Sequence, residues 1–237
     1  MTPARRMTAE AVGTALLLAA IIGSGIMGER LAGGNAAIAL LANTLATGAM
    51  LVALILTFGP ISGAHFNPAV TLADVSQGGL PWREVPGYLA AQIFGAFAGV
   101  AAAHLMFGEP VFSASRHIRA GGAQIFSEFV ATFGLLAVIW GCARLRLSAV
   151  AFAVAAYISG AYWFTASTSF ANPAVTLARS ASDTFAGIRP ADAPGFIIAQ
   201  GAGAAAATFL FRWLVPSLPK DAAAVVVSHL SQTDETI

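Results

Sequence analysis

The chain has 237 residues, of which 57% are hydrophobic and 10% charged, and its formal net charge is +1. Soluble globular domains carry about 25% charged residues, so this composition excludes that class and points to a membrane. A net charge near zero gives no basis for binding nucleic acid. The single cysteine, Cys142, excludes an internal disulfide and a cysteine-ligated metal cluster.

In chain order, apolar runs cover residues 11–27, 36–58, 85–107, 125–143, 147–166 and 193–215. Each approaches the ~20 residues that a helix needs to cross ~30 Å of hydrocarbon, which predicts six spanning helices. Because further apolar runs follow the first, it is not read as a cleaved signal peptide. Residues 217–237 contain an apolar stretch too short to span and are expected to form a mobile cytoplasmic tail. Basic residues in short loops set orientation. With the N-terminus inside, Arg5, Arg6, Arg83, Arg144, Arg146, Arg212 and Lys220 gather on the inner side. Arg30, Arg116, Arg119, Arg179 and Arg189 are left outside, a modest bias that places both termini in the cytoplasm.

The heptapeptide Asn-Pro-Ala-Val-Thr-Leu-Ala occurs twice, starting at Asn67 and at Asn172. The likeness extends outward from it. The first helix opens with EAVGT from Glu10 and the fourth with EFVAT from Glu128; the third carries Gln92 and the sixth Gln200 in similar contexts. The chain is therefore one domain, 1–237, with repeats over about 8–108 and about 123–216. Three spanning helices per repeat turn the second repeat upside down, a plan that puts the functional site near the midplane where the repeats meet.

Each NPA segment is too short and too polar at its start to span. Asn67 and Asn172 are N-caps, and Pro68 and Pro173 occupy the first helical position, where a missing N–H costs nothing. Ala69 and Ala174 follow. Two half-helices entering from opposite faces would abut at the membrane centre, where irregular backbone must be buried in protein or line a watery cavity. Each N-terminus contributes about half a positive charge, which opposes cations. The two asparagine amides are expected to donate to a passing oxygen. The small residues before each Asn, from Gly63, Ala64 and His65 to Phe66 and from Thr168 and Ser169 to Phe170 and Ala171, would supply a ladder of carbonyl acceptors along the lumen.

Glu10 and Glu128 are ionisable groups at membrane depth. One reading is proton coupling in a secondary transporter. Their equivalent places in the two repeats favour the other reading, in which each carboxylate accepts from backbone N–H groups leading into a half-helix, with Gln92 and Gln200 in the same structural role. His65 is expected near the inner end of the lumen and His104 buried at a helix end. His117, with Arg116 and Arg119, reads as a solvated basic loop. No histidine pair has metal-ligand spacing, and no nucleophile–base pair or paired carboxylates suggest an enzyme.

The stretch SGAHFNPAVT, the second NPA, the paired Glu-x-x-x-Thr openings and the Gln-bearing helices resemble the major intrinsic protein family, the aquaporins and aquaglyceroporins. The resemblance covers nearly the whole chain. It implies a lipid-embedded homotetramer with one pore per subunit, passive conduction of small neutral solutes and no cofactor. It also implies an outer selectivity filter, whose positions fall by ungapped spacing on Thr47, Gly160, Ser169 and Val175. The family usually places Arg where Val175 stands; Arg179 lies one turn further along and is expected to point away from the constriction. A Thr/Gly/Ser/Val filter is wide and uncharged. It is most similar to the bacterial branch associated with arsenic resistance, which implies the inner membrane and cargo such as neutral metalloid acids and methylated arsenicals. The alternative is an ordinary water or glycerol channel whose filter Arg179 completes.

Overall fold

A computed structural model of the chain describes residues 1–145 and 147–215. The expected tail, 217–237, lies outside the described residues. The order of elements is α1 (Pro3–Leu31), α2 (Ala36–Ser62), α3 (Pro68–Ser76), α4 (Val85–Phe107), α5 (Gly122–Leu145), α6 (Val150–Phe164), α7 (Pro173–Arg179) and α8 (Ala193–Leu214), with 3₁₀ turns before α4 and α6. Among the described residues no strand occurs. Five helices are long and apolar enough to cross a bilayer. α6 has 15 residues and is preceded by the 3₁₀ turn Leu147–Ala149.

The repeat is plain in the packing. α1 lies along α4 and α2 in the first repeat, as α5 lies along α8 and α6 in the second. The short helices cross over: α3 touches α8 as well as α4, and α7 touches α4 as well as α8, while α3 and α7 meet each other. Close approach of the long helices rests on small residues at equivalent places. A Cβ on Gly95 of α4 would collide with the Ala11 carbonyl of α1, and one on Gly203 of α8 with the Phe129 carbonyl of α5. Glycine at these positions lets backbone meet backbone. Large apolar side chains on the outer faces, among them Phe94, Leu105, Ile198 and Phe209, remain exposed in the single chain, as a lipid-facing surface requires.

Candidate pore and outer filter

Each half-helix begins as its sequence dictates. Asn67 Oδ1 accepts from Ala69 N at 2.9 Å, and Asn172 Oδ1 from Ala174 N at 3.0 Å and Val175 N at 3.3 Å. The prolines sit at the helix starts. Approach to the caps requires backbone that L-residues avoid. Ala64 and Phe66 before Asn67, and Thr168, Ser169 and Ala171 before Asn172, have φ between 48° and 60°. Left-handed conformation at non-glycine residues persists only where surrounding contacts over-determine it.

Two buried carboxylates supply those contacts. Glu10 Oε1 accepts from His65 N (3.0 Å) and the Ser62 hydroxyl (2.7 Å), and Oε2 from Phe66 N (2.7 Å). Glu128 accepts from Phe170 N (2.8 Å) and Ala171 N (2.9 Å). Gln92 Nε2 donates to Glu10 (2.8 Å) and to the Thr71 hydroxyl (2.9 Å). Gln200 Nε2 does the same toward Glu128 (2.6 Å) and Thr176 (2.8 Å). All four side chains are fully buried. With backbone and amide donors filling their oxygens, these carboxylates are anchors.

The half-helices are stitched head to head. Asn67 Nδ2 donates to Ala171 O at 2.7 Å and Asn172 Nδ2 to Phe66 O at 2.8 Å. A carboxamide has two N–H donors, so one on each asparagine is spent on the opposite repeat and the other is left for the lumen. The expectation that the two asparagine amides donate to a passing oxygen is thus narrowed to one N–H each, because each asparagine also serves as the clasp.

Along this junction runs a cavity of about 370 Å³. Its wall is largely apolar and repeats itself: Leu17 and Ile21 from α1 face Leu135 and Ile139 from α5, with Leu51 and Ile55 from α2 and Val154 and Ile158 from α6. Gly63, Ala64, His65 and Phe66 line it on one side of the asparagines, and Ser169, Phe170 and Ala171 on the other. Thr47 and Val175 also stand on the wall. Thr168 does not. Its hydroxyl instead lies 3.4 Å from Arg119 Nη1.

Gly160 is a correction. It faces outward, and a Cβ there would meet nothing within 4 Å. The α6 residue at this end of the cavity is Tyr162, buried, with its hydroxyl 3.3 Å from Thr47 Oγ1. Val154, Ile158 and Tyr162 of α6 line the cavity and recur every four positions along one face of the helix, and Gly160 lies on the opposite face.

Arg179 is a second correction. It lines the cavity, is buried at 2% exposure, and stacks its guanidinium Cζ 3.4 Å from the centroid of the Phe170 ring. Its Nε donates to Ala186 O. Helical side chains project back toward the N-terminus of their helix, so a residue one turn further along covers the preceding turn. That direction brings Arg179 back to the cavity wall that Val175 also lines. Arg119 is a third departure from expectation. It is not solvated but buried at 9%, donating Nε to Gly187 O (2.8 Å) and Nη1 to Ser167 O (3.1 Å). Nothing in local sequence marks that inward turn. His104 is buried in the last turn of α4, its ring nitrogens beside Val111 O and the Ser182 hydroxyl, each at 2.8 Å.

Two inverted repeats of membrane helices, half-helices meeting at their capping asparagines, and a cavity along their junction define a transmembrane channel of the aquaporin type. The comparisons place it further. The major intrinsic protein family matches residues 1–146, and the chain belongs to that family, whose members are passive channels and not enzymes. It is 55% identical to aquaglyceroporin AqpS of Rhizobium meliloti (strain 1021) over 91% of this chain and 92% of that protein. It is 40% identical to the probable aquaporin NIP7-1 of Arabidopsis thaliana over 41% of this chain and 34% of that one. The solved aquaglyceroporin of Plasmodium falciparum shares the fold, with a TM-score of 0.70 at 22% identity, covering 92% of this chain and 99% of the other. The chain is accordingly an integral membrane protein.

Proposed function

We propose that the protein is a passive, uncoupled pore for small neutral solutes of glycerol size and somewhat larger, including undissociated metalloid acids and methylated arsenicals. The observation that carries this reading is Val175. It stands buried on the wall at the outer end, three residues after Asn172, where a short apolar side chain leaves room and adds no donor. The outer constriction then comprises Thr47 tied to Tyr162, Ser169 and Val175. Asn67 and Asn172 orient the permeant through their remaining N–H groups, while the dipoles of α3 and α7 oppose cations. Neutral arsenous acid resembles a polyol, and its methylated forms are larger and partly apolar; both suit a wall of leucine, isoleucine and valine. The 55% identity to a protein named aquaglyceroporin supports solutes of that size. A homotetramer in a bacterial inner membrane with both termini inside completes the proposal.

A second reading has an observation of its own. Arg179 reaches the cavity wall, and a guanidinium there completes a narrower filter of the water or glycerol kind. Stopped-flow flux in proteoliposomes separates the two, using water, glycerol and a neutral methylated arsenical with wild type and Val175→Arg. Under the first reading, wild type passes all three, and the variant keeps water but loses the arsenical. Wild type passing water and glycerol but no arsenical favours the second. A third mechanism, proton coupling through Glu10 or Glu128, requires flux to fall when the proton gradient is collapsed.

A further inference from the structure

At the outer end of the pore two arginines share one aromatic ring. Arg179, from the last turn of α7, places Cζ 3.4 Å from the Phe170 centroid; Arg119, from the segment between α4 and α5, places its own 5.0 Å from that centroid. Both are at least nine-tenths buried. Their hydrogen bonds go to neutral oxygens: Ala186 O for Arg179, and Gly187 O, Ser167 O and the Thr168 hydroxyl for Arg119. Among the described residues neither guanidinium is within ion-pair distance of a carboxylate.

Of the carboxylates nearby, three are already committed, while Glu29 touches neither guanidinium and acts on His117 through space. Asp183 accepts from Arg116, and Asp192 accepts from Arg189 and from the backbone N–H of Arg119. Glu128 directs its oxygens to Phe170 N, Ala171 N and Gln200. Two buried like charges without a contacting counter-ion are expensive, and the cheapest relief is an anion from the adjoining water. His117, on the same segment as Arg119, is held below its ordinary pKa, first by burial and then by the positive charge of Arg119 and Arg179. The field at this mouth is positive.

We propose that Arg119 and Arg179 form a docking site for a small planar oxyanion, of the carboxylate or nitrate class, at the outer mouth of the pore, where its occupant obstructs neutral solutes. Guanidinium forks match planar oxyanions bidentately, and the Nη groups of Arg179 have no protein partner among the described residues. The obstruction rests on the channel reading above; the binding does not.

The test uses nitrate, which stays ionised at all working pH values. Glycerol flux into proteoliposomes is measured with sodium nitrate outside, against sodium gluconate of equal ionic strength, whose bulk keeps it from the mouth. For wild type, Arg119→Gln, Arg119→Lys and Arg179→Gln, flux with nitrate is expressed relative to that variant's own flux in gluconate. Wild type is expected to be inhibited by nitrate alone, with the half-inhibiting concentration raised about tenfold in either Gln variant and less in Arg119→Lys. Equal inhibition by gluconate, no inhibition by nitrate, or unchanged sensitivity in the Gln variants overturns the proposal. Melting temperature in detergent is a readout independent of conduction. A nitrate-specific rise in wild type that Arg119→Lys reduces supports the site even if glycerol flux is absent and the channel reading fails. No such rise in wild type overturns the site. Arg119→Lys keeps the charge, so it serves where a Gln variant fails to fold.

Discussion

The two half-helices, α3 and α7, each follow a capping asparagine with the same six residues and hang from equivalent carboxylates, yet their surroundings diverge sharply. Two residues before the capping asparagine stands His65 in one and Phe170 in the other; seven residues after it stands Asp74 in one and Arg179 in the other. In each repeat the later side chain packs back onto the earlier one. Asp74 Oδ2 lies 3.8 Å from His65 Nε2, and the Arg179 guanidinium stacks on Phe170. Behind each earlier ring lies a ring from the Gln-bearing helix, Tyr88 at 5.5 Å from His65 and Phe196 at 5.2 Å from Phe170. One mouth thus carries a buried acid beside an imidazole and the other a buried base on a phenyl. The repeats agree where residues hold backbone and differ in the side chains packed beside the cavity, where His65 and Asp74 stand against Phe170 and Arg179.

If that division is right, damage to the shared framework should be severe and equal in the two repeats. Glu10→Ala strands the donors His65 N, Phe66 N and Gln92 Nε2; Glu128→Ala strands Phe170 N, Ala171 N and Gln200 Nε2. Each orphaned buried donor costs about 1–3 kcal/mol. Both variants are expected to fail to yield folded protein in detergent, judged by monodispersity and melting temperature. A Glu128→Ala protein that melts like wild type breaks the equivalence.

A smaller and still symmetric effect is expected at the helix contacts. Gly95→Ala forces α4 off the Ala11 carbonyl, and Gly203→Ala forces α8 off the Phe129 carbonyl. Overpacking of this kind costs about 1–3 kcal/mol. Melting temperatures of the two variants should fall by similar amounts, with flux per folded protein largely retained. A cost confined to one repeat sharpens the comparison by showing that only one interface is tight.

The framework was legible in the sequence because it is local or repeated. Asn67 and Asn172 each precede a proline and an identical run, and Glu10 and Glu128 reveal a shared role because each stands four residues before a threonine, Thr14 and Thr132, at the opening of its repeat. The filter was less legible because it is tertiary. Whether Gly160 or Tyr162 turns inward depends on how α6 is rotated about its own axis, which its packing sets and a count of residues does not give. Arg179 is illegible for a different reason, since sequence gives its position along α7 but its guanidinium reaches a turn back. Arg119 turns inward only because Gly187 O and Ser167 O are there to receive it, and both come from distant segments.

Tyr162 and Gly160 test the asymmetric side of the comparison. Tyr162→Ala removes a ring from the cavity wall and its hydroxyl from Thr47, so the ratio of methylated arsenical to water flux should rise several-fold in stopped-flow measurements. Gly160→Phe adds a ring on the outward face, where nothing lies within 4 Å of the new Cβ, and should leave that ratio unchanged. The reverse result places Gly160 on the lumen and the helical register with the ungapped spacing.

The smallest effect concerns how each mouth is fastened. On the α1 and α4 side, Arg6 pairs with Glu84 at 2.6 Å, both side chains under 10% exposed; on the α7 side, Arg116 pairs with Asp183 at 2.7 Å with the Arg116 side chain 90% exposed. Asp183 is held below its ordinary value of 3.8, first by the Arg116 backbone N–H and then by its side chain. A carboxylate depressed in the folded state stabilises it above the unfolded pKa, and the contribution fades as pH falls through the folded value, hence below 3.8. Solvent screening keeps the effect slight at so exposed a pair. Hydrogen-exchange protection around residues 113–117, corrected for intrinsic rates, should therefore decline modestly between pH 7 and about pH 3. Asp183→Asn should show the reduced protection already at pH 7 and little further change on acidification. Arg6–Glu84, shielded from water, gives its neighbourhood no such exposed hinge, and protection near residues 84–88 should outlast that of the outer segment at every pH. Equal loss at both ends would mean that the exposed clasp and the buried one fasten the mouths alike, and that the difference between the repeats stops at the lumen.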